Sequence, residues 1–392
     1  MPRMVEIAAI VEVGRTLKNI ALGASPWVPG QRHYGIGGFT ADELTAALAS
    51  DIPGARIESV DVIAGDAMTT DHAHLVLTWN ADGRAAQLPT ALFTKGTPAG
   101  VSTRILNSAF GLCQNEVRFY NELYPAVADI TLTPYGARLR SGGRFAIALA
   151  TLEPNEATFF ELGSTVPLGH AEAVIDSLAK LHAAYWNSPR FGGALKWLTP
   201  YSRQPGWPIG QRVMPLINRT WLQRRDDVPT EIKQLTTRYL KNQNIFDTEL
   251  ESMSPTFCHG DTHAANTFTR ADGTAGLFDW QQVHKANGMR DVTYFIGWSL
   301  EPEARAASEK DLIARYLGGL RTHGVDDVPS LADAFELHRW LMVIAWNAAW
   351  APLAMYGGDD ETLCTGLLSR FTAALQDLDT AEALRGILDR RT

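Results

Sequence analysis

Residues 258–268 read CHGDTHAANTF, and GLFDWQQ follows at 276–282. The strand-like pieces TFT and GLFDW are separated by Arg270-Ala-Asp-Gly-Thr274, a hairpin turn signal, so the two fragments lie on the two arms of one hairpin. Asp261 and Asn266 fall on the loop entering the first arm, and Asp279 ends the second. In a hairpin these three side chains can converge, presenting two hard oxygen ligands beside a free carboxylate. Mg2+ suits such a set, because it takes one or two carboxylate or carbonyl oxygens and completes its octahedron with water and substrate phosphate. A polar turn with buried histidines would not explain Asn266 and Asp279 together.

Around this island, from about residue 155 onward, apolar residues recur at the helical period, as in AEAVIDSLAKLHAAYW and PTEIKQLTTRYLKNQ. Trp340, Trp346 and Trp350 share that spacing and read as core, as does His182. Ahead of it, RIESVDVIAG, HAHLVLTWN and QLPTALFTKG predict an antiparallel meander with a turn at Ala81-Asp82-Gly83. STRILNSAFGLCQNEVRFYNELY predicts one helix over about 102–124, and TPYGARLR and RFAIALAT predict two strands joined by Ser141-Gly142-Gly143. Thr40 and Glu43 form a capping box, GIGG at 35–38 reads as a turn, and the first 23 residues predict an amphipathic helix. The expected fold is α+β. An N-terminal lobe over 1–152 carries a five-stranded antiparallel sheet with one main helix, and a larger, mainly helical lobe covers 153–392.

Composition narrows the function. The chain of 392 residues has a formal charge of −8, against the basic face that sequence-independent nucleic-acid binding requires. No apolar run reaches the roughly 18 to 20 residues of a membrane span. Cys113, Cys258 and Cys364 lack CxxC spacing, so neither a disulfide framework nor a zinc ribbon is indicated, and a cytoplasmic location is expected. Oligomeric state is not readable from the residues.

A carboxylate, four residues, an Asn and a later strand-borne Asp is the spacing of a kinase catalytic loop and its metal ligand. HGDTHAAN with FDWQ resembles the aminoglycoside phosphotransferase and choline kinase superfamily. Gln281 and RDVTYFIGWSL most resemble its ecdysteroid-kinase-like branch. The resemblance implies a protein-kinase-like bilobal fold and transfer of the γ-phosphate of ATP to a hydroxyl of a small-molecule substrate. It implies Asp261 as base, Asn266 and Asp279 as Mg2+ ligands, His259 as a brace and Asp291 as a tether of the loop. Lys95 at the end of TALFTK and Glu116 on the next helix match the phosphate-binding lysine and its partner. Ala150 to Leu152 match the hinge backbone that meets the adenine. Between the first two strands only Gly65 is present, so Thr69 and Thr70 stand in for a Gly-rich phosphate loop, and Thr262 replaces the family's usual Leu. Two rivals are a nucleotide-binding pseudokinase and a metallophosphoesterase using His259, Asp261 and His263.

Overall fold

A computed structural model describes residues 34–65, 70–140, 144–152, 155–204, 206–356 and 360–391, with scattered positions from 11 to 21. The expected N-terminal helix falls largely outside them, and Thr69 and the 141–143 connection lie outside entirely. The chain divides into two compact units, Met1–Glu153 and Pro154–Thr392.

In the first unit, Thr40 opens α1 (Ala41–Leu48) through the capping box. Its hydroxyl accepts from the Glu43 amide at 3.2 Å, and the Glu43 carboxylate accepts from the Thr40 amide at 2.8 Å. Strands β1 (Ile57–Ala64), β2 (Asp71–Trp79), β3 (Ala91–Gly96), β4 (Pro134–Arg140) and β5 (Arg144–Ala150) form an antiparallel sheet in the order β1-β2-β3-β5-β4. Alternation along β2 turns Ala73, Leu75, Leu77 and Trp79 inward, where the last three pack with Leu44, Leu92, Ala146 and Ala148. Between β2 and β3, the turn expected at 81–83 is instead a one-turn helix, α2 (Ala81–Ala85). Asn80 accounts for this as N-cap, its carboxamide oxygen accepting from the Gly83 amide at 3.1 Å. GIGG is a turn, closed by the Gly38 amide on the Gly35 carbonyl at 2.9 Å.

The single helix expected over 102–124 is also corrected. It is α3 (Val101–Phe110) and α4 (Leu112–Arg118), parted at Gly111 in the left-handed conformation (φ +66°) that glycine adopts at low cost, with one π turn at Phe119–Leu123.

The second unit holds β6 (Ala157–Phe159), helices α5 (Leu168–Tyr185), α6 (Trp207–Thr220), α7 (Thr230–Lys241) and α8 (Gln243–Glu251), then strands β7 (Thr256–Cys258), β8 (Thr267–Arg270), β9 (Ala275–Leu277) and β10 (His284–Ala286). Helices α9 (Met289–Ser299), α10 (Pro302–Thr322), α11 (Leu331–Tyr356), α12 (Glu361–Asp377) and α13 (Thr380–Arg391) complete it. The hairpin β8–β9 forms at the anticipated turn and gains β6 on its outer edge, while β7 pairs with β10. Trp340, Trp346 and Trp350 are core residues. Trp346 donates to Thr236 Oγ1 at 2.8 Å and Trp350 to Asn347 Oδ1 at 3.2 Å, so the polar edge of each of these two rings is satisfied where the ring is buried. Among the described residues no helix is long and apolar enough to cross a membrane, and Cys113, Cys258 and Cys364 are buried free thiols.

Candidate active site

The loop between β7 and β8 is strapped from both sides. Asp291, in the first turn of α9, is fully buried, and its carboxylate accepts from the His259 amide at 2.6 Å and the Gly260 amide at 3.0 Å. His182 Nε2 lies 3.4 Å from the same carboxylate, and its Nδ1 is 2.9 Å from the Tyr316 hydroxyl, which makes His182 a satisfied core histidine. Burial pushes the Asp291 carboxyl up, but the His182 hydrogen bond and the charges of His182 and Arg290 outweigh it and hold the group at about 2. Thr262, which departs from the family pattern, acts as a third strap by donating to the Asp291 main-chain carbonyl at 2.9 Å. Arg290 donates to the Gly260 carbonyl at 3.2 Å.

Gly260 has φ +88°, and a Cβ there would overlap the Gln282 carbonyl oxygen and stand 2.9 Å from His284 Nδ1. The residue before Asp261 is therefore glycine on two counts, conformation and space.

His259 links the loop to the hairpin. Its Nδ1 accepts from the Asp261 amide at 3.2 Å, so Nε2 carries the proton and donates to the Phe278 carbonyl at 2.9 Å. Burial holds its proton affinity below the ordinary value, consistent with a neutral ring. The Phe278 amide in turn donates to the Asn266 carbonyl at 3.1 Å. One residue, Phe278, thus anchors the Asp261 loop on one side and Asn266 on the other, immediately before Asp279, which sits at φ +64° and ψ +66°.

Asp261 is partly exposed and held at both oxygens. Tyr294 donates to Oδ1 at 2.7 Å, and Asn266 Nδ2 lies 3.3 Å from Oδ2 and 2.8 Å from the Asp261 carbonyl. Because a carbonyl can be met only by the amide nitrogen, the Asn266 side-chain oxygen is turned away from Asp261. That oxygen and the Asp279 carboxylate are hard donors of the kind a Mg2+-class ion takes. Tyr294 was not singled out in the sequence. It lies three residues after Asp291, so both project from one face of α9 toward the loop, and its ring stacks on Trp298 at 5.6 Å. Burial and the neighbouring Asp261 raise its proton affinity well above the ordinary tyrosine value, which keeps the hydroxyl a donor.

A metal held by His259, Asp261 and His263 is not supported, since both His259 nitrogens are engaged. Among the described residues the one metal-compatible cluster is His182, Cys258 and Asp291, whose His182 and Asp291 already bond within the protein and whose Cys258 thiol lies 3.6 Å from the Asn287 carbonyl.

In the first unit, Lys95 Nζ donates to Glu116 Oε1 at 2.8 Å, with Lys95 3% exposed and Glu116 fully buried. Removing one partner of such a pair leaves an uncompensated buried charge, at a cost of about 3–5 kcal/mol. The Ala150 amide is bonded to the Thr133 carbonyl at 2.8 Å, at the end of β5. Thr70 is buried with its hydroxyl 2.7 Å from His72 Nε2, which engages it inside the fold.

A pH dependence follows from two histidines beside the loop. Thr267 donates to the Ala264 carbonyl at 2.7 Å and so accepts from His170 Nε2 at 2.9 Å, leaving His170 Nδ1 to meet Thr269 at 2.6 Å. Burial lowers His170 to about 4, and burial with Arg290 nearby lowers His284 to about 3. In the unfolded chain both take up protons near 6.5. Their contribution is therefore complete above about pH 6.5 and is lost as pH falls toward 4 and 3, at up to about 1.4 kcal/mol per pH unit for each. Urea unfolding should show stability falling between pH 6.5 and 4.5, with a shallower slope in His170→Gln; an identical slope in that variant would remove His170 from the account.

A model of a phosphotransferase enzyme family matches residues 105–327, a span that contains the whole loop, the hairpin and Glu116 and begins after Lys95. Among solved structures the chain is similar to an ethanolamine kinase from Plasmodium vivax, at 9% identity over 81% of this chain and 82% of that one, with a TM-score of 0.50. It is similar to the GDP complex of an aminoglycoside 2′-phosphotransferase at 11% identity, over 87% and 98%, with a TM-score of 0.50. A choline kinase from Streptococcus pneumoniae aligns at 12% identity over 83% and 94%, with a TM-score of 0.46. No curated protein sequence matches the chain. The fold is that of the protein-kinase-like enzymes.

Proposed function

Because the chain belongs to the phosphotransferase enzyme family, we propose that it transfers the γ-phosphoryl group of ATP to a hydroxyl of a small-molecule acceptor. The observation that carries this reading is Asp261, a carboxylate gripped at both oxygens by Tyr294 and Asn266 on a loop with no slack. Phosphoryl transfer asks a protein chiefly to position groups and neutralise charge. Asp261 accepts or orients the proton of the attacking hydroxyl, and the Tyr294 donation fixes the direction in which its free lone pairs point. Asn266 and Asp279 would hold Mg2+, which when bound neutralises phosphate charge. Lys95, kept in place by Glu116, would bind nucleotide phosphates, and the backbone from Ala150 to Leu152 would contact the adenine. A catalytically silent nucleotide binder would not require Asp261, Asn266 and Asp279 together.

The test is an ATP-consumption screen, run in parallel with GTP, across hydroxylated metabolites and drugs. Nucleotide hydrolysis or transfer that depends on one acceptor class supports the reading. Tight nucleotide binding with no acceptor-dependent turnover across the panel would favour the silent binder instead.

A further inference from the structure

Gln243, Asp247 and Glu251 recur every four residues along α8 and share one face of that helix, in the same unit as Asp261. The two outer residues of the face are matched. Gln243 hydrogen-bonds the Tyr239 hydroxyl, and the Glu251 carboxylate accepts from the Arg203 guanidinium and the Ser202 hydroxyl. Asp247, between them, is not: its Oδ2 is buried with no hydrogen-bond partner among the described residues. Burial, then the charge of Glu251, pushes this carboxyl up to about 7.

Aromatic residues connect Asp247 to the Asp261 loop. Tyr239 lies within electrostatic reach of Asp247, Tyr201 and Arg290, and Tyr201 lies within the same reach of Asp261. Tyr201 immediately precedes Ser202, which bonds Glu251, and its half-buried ring packs edge-on against Trp207 at 5.3 Å and His284 at 6.1 Å. His284 donates from Nδ1 to the Gln282 carbonyl at 2.9 Å, so its Nε2 is an acceptor. That atom too is buried without a partner among the described residues. Buried acceptors without donors are rare in a finished fold, and a ligand that brings its own N–H or O–H groups would satisfy them. An alcohol with only apolar flanks would leave them unmet.

We propose that Asp247 is a specificity-determining residue for the acceptor, taking a hydrogen-bond donor from it, an ammonium or a second hydroxyl, while Asp261 meets the reacting hydroxyl. The inference rests on Asp261 as the base and narrows the acceptor to alcohols that carry a further N–H or O–H donor. The test is thermal unfolding of the full chain, without nucleotide, as 6-aminohexanol, hexane-1,6-diol and hexanol are titrated separately; these flexible chains differ only at the end away from one hydroxyl. The expected result is a saturable rise in Tm of about 1–3 °C with the amine, the diol or both, none with hexanol, and none with any of them in Asp247→Ala. Asp247→Asn keeps an acceptor oxygen and loses the charge, so a rise that survives it marks a hydroxyl and a rise that it abolishes marks an ammonium. No rise with any of the three, a rise with hexanol equal to the others, or an undiminished rise in Asp247→Ala would overturn the proposal. Because nucleotide is absent, a failure of turnover with ATP would count against the phosphotransfer reading and leave this result standing.

Discussion

Asp261→Asn is expected to lower turnover by about 10²–10⁴, the range that a positioned general base contributes, with little change in nucleotide affinity or stability. The substitution keeps the shape of the side chain. The Asn oxygen can still accept from Tyr294, which donates to Oδ1 at 2.7 Å in the native chain. Its amide would face Asn266 Nδ2 across the site now spanned at 3.3 Å, a mild donor-against-donor contact. What is lost is the capacity to accept a proton. The reduction should therefore appear in kcat and kcat/KM together, as for an interaction made only in the transition state. Single-turnover rates and nucleotide titration on the same preparation separate the two effects. A kcat within a few-fold of wild type would remove Asp261 as the base.

Gly260→Ala is expected to destabilise the fold by about 3–5 kcal/mol, by combining strain from a left-handed backbone with overpacking, each worth about 1–3 kcal/mol. The backbone is at φ +88° and a Cβ has nowhere to go but the Gln282 carbonyl. Nor can the loop swing away easily, since the Gly260 amide and carbonyl are bonded to Asp291 and Arg290. Urea unfolding of the variant measures this, and a change below about 1 kcal/mol would mean that the loop is looser than its hydrogen bonds imply.

Much of this arrangement was legible because it is local. The Asp261 to Asn266 spacing, the 270–274 turn and the alternation of β2 are each contained within a dozen residues, where sequence period and turn chemistry act directly. The misreadings were local as well, but rested on single residues with two options. Asn80 caps a helix where a tight turn was expected, and Gly111 breaks a helix whose apolar period continues on both sides. What could not be read was long-range. Tyr294 reaches Asp261 only because Asp291 docks α9 on the loop, and β6 joins the hairpin across more than a hundred residues.

The proposed transfer depends most on Asn266 and Asp279 together holding Mg2+, and the direct measurement is ATP affinity by calorimetry with and without Mg2+ in the wild type and in Asp279→Ala. The account predicts that Mg2+ tightens ATP binding in the wild type and leaves the variant unaffected. ATP binding indifferent to Mg2+ in the wild type, or an undiminished Mg2+ effect in Asp279→Ala, would contradict it.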